Sequence, residues 1–309
     1  MINSKIEGLV AAPVTAYYPD GTVNLDIIPS YAAFLRANGV AGVFINGTTG
    51  EGLSLASEER KAIAETWMKT APGNLKVIVH VSHTCAVSAW EMARHAAQIG
   101  AWGIGEMGPL FYKPNTIEEL ADYAAQTAAQ APDLAYYYYH IPSMSGVCFP
   151  MVELLRAAEP KISKLAGIKY THEDLVDLEL CLEFKGGRYD ILYGRDETLL
   201  CSLALGCRGA VGSTYNIMAP LYARLIDAFD SGNLAEARRL QRMSMKVIRL
   251  LAETSSFNSA LKEVMNMIGL NVGGVRSPLR NIEAAKITRL KAALKELGFF
   301  DFCSKLPPA

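Results

Sequence analysis

The first 230 residues of the chain alternate short apolar segments with longer segments of helical period. The apolar segments are rich in branched and aromatic residues, and helix-like segments such as 57–71, 86–99, 116–131 and 173–185 follow them. This alternation is typical of βα units that build a parallel sheet. The predicted strands are residues 8–16, 40–46, 76–82, 102–108, 134–141, 165–171, 189–196 and 208–215.

About eight such units in the first 230 residues match the usual size of a (β/α)₈ barrel. A doubly wound sheet is the alternative arrangement. After residue 230 the strand signals cease, and residues 234–253, 257–268 and 281–297 have helical patterning. We therefore predict an α/β fold, in which residues 1–230 form a (β/α)₈ TIM barrel and residues 231–309 form a C-terminal helical extension.

Composition points to a globular protein with a small-molecule partner. The chain has 309 residues, 50% of them hydrophobic, so it can bury a large core without disulfides or metals. Lys and Arg number 30 against 31 for Asp and Glu. This balance gives no electrostatic reason to bind nucleic acid or an anionic membrane.

The six cysteines have no C-x-x-C spacing, which argues against a zinc cluster or a redox dithiol. We expect them to be buried thiols in a reducing compartment. Glu7 and Pro13 interrupt a faintly signal-like amino-terminal segment, and no apolar stretch approaches the roughly 18 residues of a membrane-spanning helix. The sequence therefore predicts a soluble, cytoplasmic protein.

Two motif-like segments are better explained as structure. The segment 103–108 matches G-x-G-x-x-G, but Pro109 and Pro114 follow it where a dinucleotide-binding motif would open a helix. His80 and His83 have an odd separation that sends strand side chains to opposite faces. We therefore predict neither a dinucleotide cofactor nor a metal site.

Lys169 is the residue that most suggests chemistry. It lies within the apolar segment 165–171, where Lys169 and Thr171 share one face of the predicted strand and Ile168 and Tyr170 share the other. The alternative is a lysine that extends into solvent near a strand end. A charge inside an apolar strand is costly, however, and an ordinary amine is neutral only roughly once in 2500 molecules at pH 7. A buried lysine is therefore a candidate Schiff-base nucleophile.

Other polar side chains fall at the carboxyl ends of predicted strands. Because these ends open on one rim of a barrel, the side chains could meet Lys169 there. For Tyr139 the alternative is an aromatic core residue, and for the segment 47–52 it is an ordinary turn rather than a carboxylate-binding loop. The candidates are Thr48, Thr49, Tyr139, Asp196, Glu197 and Ser213.

Two separated motifs carry a family resemblance. They are G-T-T-G-E at 47–51 and the segment that begins Tyr139-His-Ile-Pro and closes with Gly167-Ile-Lys169. With them the chain resembles, over nearly its full length, the superfamily of pyruvate-dependent class I aldolases that contains N-acetylneuraminate lyase and dihydrodipicolinate synthase. The segments 194–197 and 212–216 are similar to the lyases.

The resemblance implies reversible cleavage of N-acetylneuraminate to N-acetylmannosamine and pyruvate, without a metal or an organic cofactor. Lys169 would form the imine, and Tyr139 would move protons near the substrate carboxylate. Thr48 and Thr49 would hold that carboxylate. The residues expected to bind the sugar chain are Thr171, Gly194, Asp196, Glu197 and Ser213.

The resemblance also implies a homotetramer. Where many relatives present a tyrosine to a neighbouring subunit, this chain has Phe111, followed by Tyr112. Met144 stands where members resembling dihydrodipicolinate synthase have an arginine. The alternatives are another pyruvate aldolase that acts on 2-keto-3-deoxy sugar acids, a dihydrodipicolinate synthase, and a non-catalytic sugar-acid binding protein on the same barrel.

Overall fold

In a computed structural model, which describes residues 5–71, 75–254 and 256–307, eight parallel strands close into a barrel in sequential order. This confirms the predicted (β/α)₈ fold. Each strand lies where the apolar segments predicted one. The strands are β1 Gly8–Ala11, β2 Gly42–Ile45, β3 Lys76–His80, β4 Gly103–Met107, β5 Ala135–His140, β6 Leu165–Tyr170, β7 Asp190–Tyr193 and β8 Gly209–Gly212.

Helices surround the barrel and continue beyond it. Thr116 caps the helix that begins at Ile117, because its hydroxyl accepts a hydrogen bond from the Glu119 N–H at 3.2 Å. The Glu119 carboxylate in turn accepts a hydrogen bond from the Asn115 N–H. No helix in the described ranges is long and apolar enough to cross a membrane. The helices are α1 Ile28–Ala37, α2 Ser57–Thr70, α3 Ala86–Gln98, α4 Ile117–Ala128, α5 Pro142–Ser145, α6 Met151–Ala158, α7 Leu175–Gly187, α8 Leu199–Ala204, α9 Tyr215–Asp230, α10 Leu234–Ala252, α11 Phe257–Met267, α12 Ala284–Glu296 and α13 Phe299–Phe302.

The alternation of strand side chains divides the apolar core into two parts. One part fills the barrel interior and includes Val10, Phe44 and Ile78. The larger part lies between the strands and the surrounding helices and includes Ile168 and Tyr170. The two predicted faces of β6 are therefore present, with Lys169 on the interior side.

Two details differ from the sequence-based expectation. All eight strands end before their predicted limits, because the chain leaves the sheet at the rim and the following residues form the loops of the candidate site. The expectation of buried thiols is wrong for Cys85, Cys148 and Cys201, which are exposed. Cys85 and Cys148 lie on loops, and Cys201 lies on the outer side of α8. The neighbouring sequence does not reveal that these positions are exposed.

Candidate active site

Lys169 lies near the carboxyl end of β6 with its side chain in the barrel interior. It is paired in the sheet with Tyr139 of β5 on one side and Leu192 of β7 on the other. Its amine is 3.8 Å from the centroid of the Tyr139 ring and 3.9 Å from that of Phe44, and only 4% of the residue is exposed. The amine is thus enclosed by aromatic faces.

This environment changes the protonation of the amine. Burial lowers the pKa of Lys169 to about 7, and the attraction of the Asp196 carboxylate opposes this shift in part. Desolvation penalises the charged form of a buried amine, so a large fraction of Lys169 is neutral near pH 7. A neutral, partly enclosed amine can attack a carbonyl carbon.

Tyr139 holds its phenol beside the amine. The phenol oxygen is 3.4 Å from the Thr48 hydroxyl, and the ring packs edge-on against Phe44 with centroids 5.4 Å apart. Burial raises the pKa of Tyr139 to about 12, and its hydrogen bond with Thr48 acts in the opposite direction. The phenol therefore keeps its proton at neutral pH. It can relay a proton, but it is not a phenolate that could act as a base.

The loop after β2 brings two hydroxyl groups to the same rim. Its turn is closed by hydrogen bonds from Glu51 N–H to the Thr48 carbonyl and from Gly52 N–H to the Gly47 carbonyl. The Thr49 hydroxyl lies 2.6 Å from that of Ser213, which follows β8. Residues more than 160 positions apart in sequence are thus joined across the barrel mouth.

All but two of the predicted site residues line one cavity of about 190 Å³. Thr171 packs closely against Gly194. A Cβ atom at position 194 would collide with the Thr171 hydroxyl, so this close approach requires glycine. The cavity combines one amine, one phenol and several hydroxyl groups, which suits a small polar ligand with a carbonyl group. The predicted residues in its wall are Thr48, Thr49, Tyr139, Lys169, Thr171, Gly194 and Ser213.

Asp196 and Glu197 do not line this cavity, and their side chains have different environments. Asp196 is buried and accepts hydrogen bonds from the Thr214 N–H at 2.8 Å and the Thr214 hydroxyl at 2.6 Å. Burial raises the pKa of Asp196 to about 6, against the lowering effect of these hydrogen bonds. Glu197 instead pairs with Arg195 at 2.7 Å and is partly exposed. The two adjacent carboxylates therefore lie in different environments.

Several lining residues were not predicted from the sequence. Phe44, which contacts the Lys169 amine although it does not line the cavity, was also missed, because an aromatic residue in an apolar strand gives no signal of its own. Phe257 and Asn258 come from α11 in the C-terminal extension, far from any motif. A larger cavity of about 420 Å³ shares these two residues, and Met144 lines it with 60% of its surface exposed.

His80 lies beside the site rather than in a metal cluster. Its Nδ1 is 3.0 Å from the Asn46 carbonyl oxygen, and its ring packs edge-on against Tyr139. Burial lowers the pKa of His80 to about 3, so the ring is neutral. His83 lies past the end of β3 and accepts a hydrogen bond from the Cys85 N–H. The two histidines therefore make separate contacts.

Comparison with known proteins identifies the family. A profile of the Dihydrodipicolinate synthetase family matches residues 5–297. The N-acetylneuraminate lyase of Gallus gallus is 41% identical over 303 residues, which cover 97% of this chain and 98% of that protein. Proteus mirabilis N-acetylneuraminate lyase superposes with a TM-score of 0.93 at 38% identity, over 96% of this chain and 100% of the other. A catalytic lysine mutant of Ruminococcus gnavus sialic acid aldolase gives a TM-score of 0.90 at 27% identity, over 96% and 97% of the two chains. The chain therefore belongs to the dihydrodipicolinate synthetase family, as its two motifs predicted.

Proposed function

We propose that the protein is a Schiff-base aldolase that reversibly cleaves N-acetylneuraminate to N-acetylmannosamine and pyruvate. The observation that carries the proposal is the buried amine of Lys169, whose pKa is lowered to about 7, beside the Tyr139 phenol at the mouth of the barrel. The relatives named N-acetylneuraminate lyase support this substrate, since they match this chain over nearly its whole length. The related Ruminococcus gnavus enzyme has a catalytic lysine, which supports an imine mechanism.

The reaction begins at the 2-keto group. Neutral Lys169 attacks the carbonyl carbon, the carbonyl oxygen takes up a proton, and loss of water leaves a protonated imine. Thr48 and Thr49 hold the neighbouring carboxylate, while Ser213 keeps Thr49 in place through the 2.6 Å contact between their hydroxyl groups. The positively charged imine then acts as an electron sink.

Cleavage follows from removal of the proton on the C4 hydroxyl. The Tyr139 phenol, in contact with the Thr48 hydroxyl, takes this proton while it passes its own to the substrate carboxylate. The C4–O electrons form the aldehyde carbonyl, and the C3–C4 bonding electrons move into the imine to form an enamine. N-acetylmannosamine leaves as the aldehyde. Protonation of the enamine at C3 and hydrolysis of the imine release pyruvate and restore Lys169. The imine supplies the electron sink, so the proposed mechanism uses no metal or organic cofactor.

The remaining assignments concern the sugar chain and the assembly. The residues proposed to bind the hydroxylated sugar chain are Thr171, Gly194, Asp196, Glu197 and Ser213. Residues 1–230 form the catalytic barrel, and residues 231–309 form the extension that contributes Asn258 to the cavity wall. We also propose a homotetramer in the cytoplasm, in which the exposed Phe111 and Tyr112 lie at a subunit contact.

Reductive trapping tests the proposal. Pyruvate with borohydride should add one pyruvate-derived mass to the peptide that contains Lys169, and Lys169→Ala should abolish both this label and cleavage of N-acetylneuraminate. Lys169→Arg should be equally inactive, because a guanidinium group stays protonated. Labelling that persists in Lys169→Ala would refute the assignment. Loss of trapping without loss of cleavage would refute the imine mechanism.

A further inference from the structure

A buried ion pair joins the loop after β2 to the C-terminal extension. The Lys262 amine on α11 lies 2.6 Å from Glu51 Oε1, and the two side chains are 0% and 2% exposed. Lys262 also donates to the Gly274 carbonyl at 2.5 Å, and Glu51 Oε2 accepts a hydrogen bond from the Arg276 N–H at 3.0 Å. Both oxygens of the Glu51 carboxylate are therefore held by the extension.

Glu51 has a backbone conformation that is unfavourable for an isolated glutamate. Its φ angle is 54°, in the left-handed region that is unfavourable for residues with a branched or long side chain. Such a conformation persists when the surrounding structure fixes it. Since Glu51 ends the turn that presents Thr48 and Thr49, its contact with Lys262 helps to set the position of both threonines.

A second contact reaches the same loop from the same helix. The Asn258 side-chain amide, one turn before Lys262 on α11, lies 3.3 Å from the Thr48 carbonyl oxygen and 3.5 Å from that of Thr49. One face of α11 thus holds the loop at its middle and at its end.

The chemistry of the pair indicates positioning rather than simple stabilisation. An ion pair taken out of water is often no more stabilising than well-packed apolar residues of similar size. It does, however, admit few alternative arrangements, because each charge must keep its partner. We infer that Lys262 is a positioning residue that holds the 47–51 loop in the geometry required to bind the substrate carboxylate. This inference rests on the proposed function.

The inference is tested in the synthetic direction, in which pyruvate and N-acetylmannosamine condense, by comparing the KM values of the two substrates. Pyruvate has the carboxylate and N-acetylmannosamine does not. In Lys262→Met, the KM for pyruvate should rise about tenfold, because small misplacements of a binding group are costly. The KM for N-acetylmannosamine should change less than about twofold. Glu51→Gln should give the same pattern. The KM for pyruvate of the double variant should be no higher than that of the single variant with the higher KM, because both changes break the same contact.

Leu294→Ala provides the matched control, because Leu294 is a fully buried apolar residue elsewhere in the extension. It should lower the melting temperature but leave both KM values within about twofold of wild type. A folded Lys262→Met or Glu51→Gln protein with wild-type KM for pyruvate would overturn the inference, as would equal rises for both substrates. If Lys262→Met does not fold, Glu51→Gln decides. Failure of wild-type protein to trap pyruvate at Lys169 would instead overturn the proposed function, and the inference with it.

Discussion

The lowered pKa of Lys169 predicts how the rate of imine formation depends on pH. The pKa moves from 10.5 to about 7 on burial, and only the neutral amine is nucleophilic. The neutral fraction at pH 7 is then near one half, about a thousandfold larger than for an ordinary lysine. The rate should therefore rise about tenfold per pH unit below pH 7 and level off above it.

Replacement of Asp196 tests the cause of this pKa. The Asp196 carboxylate favours the charged amine and so raises the pKa of Lys169 against the effect of burial. Asp196→Asn should therefore shift the midpoint of the profile to lower pH. Glu197→Gln is the matched control, because Glu197 pairs with Arg195 instead and its loss should leave the midpoint unchanged.

The assay is the initial rate of pyruvate trapping by cyanoborohydride at subsaturating pyruvate, followed by intact mass between pH 5 and pH 9. The reducing agent is kept in excess so that imine formation limits the rate. A rate that still rises about tenfold between pH 8 and pH 9 would show an ordinary lysine and refute the role of burial. A shift of the midpoint to higher pH in Asp196→Asn would refute the assigned electrostatic effect.

Two further predictions concern proton transfer and substrate choice. Tyr139→Phe keeps the ring packing against Phe44 but removes the hydroxyl in contact with Thr48, so kcat should fall roughly 10²-fold with little change in melting temperature; near wild-type kcat would contradict the proton relay. Met144 lines the larger cavity and has no donor for a second carboxylate, so kcat/KM for N-acetylneuraminate cleavage should exceed that for condensation of pyruvate with aspartate semialdehyde by at least about tenfold. Higher efficiency with the semialdehyde would make the protein a synthase.

The sequence by itself determined the order of the strands and the location of the candidate site. Apolar segments and helical periods are local patterns, so they predicted all eight strands and the helices that follow them. The alternation within 165–171 placed Lys169 and Thr171 on one face, because side-chain direction along a strand depends only on position. The rule that barrel strands open on one rim then grouped Tyr139 with Lys169.

Only the tertiary structure decided the environment of each group. Asp196 and Glu197 are neighbours in sequence with the same chemistry, yet one is buried against Thr214 and the other pairs with Arg195. The pKa of Lys169 likewise depends on atoms from other strands. The contact between Lys262 and Glu51 spans 211 positions and has no local signal. Burial and ion pairing arise from segments that meet only when the chain folds, and for this reason no sequence pattern contains them.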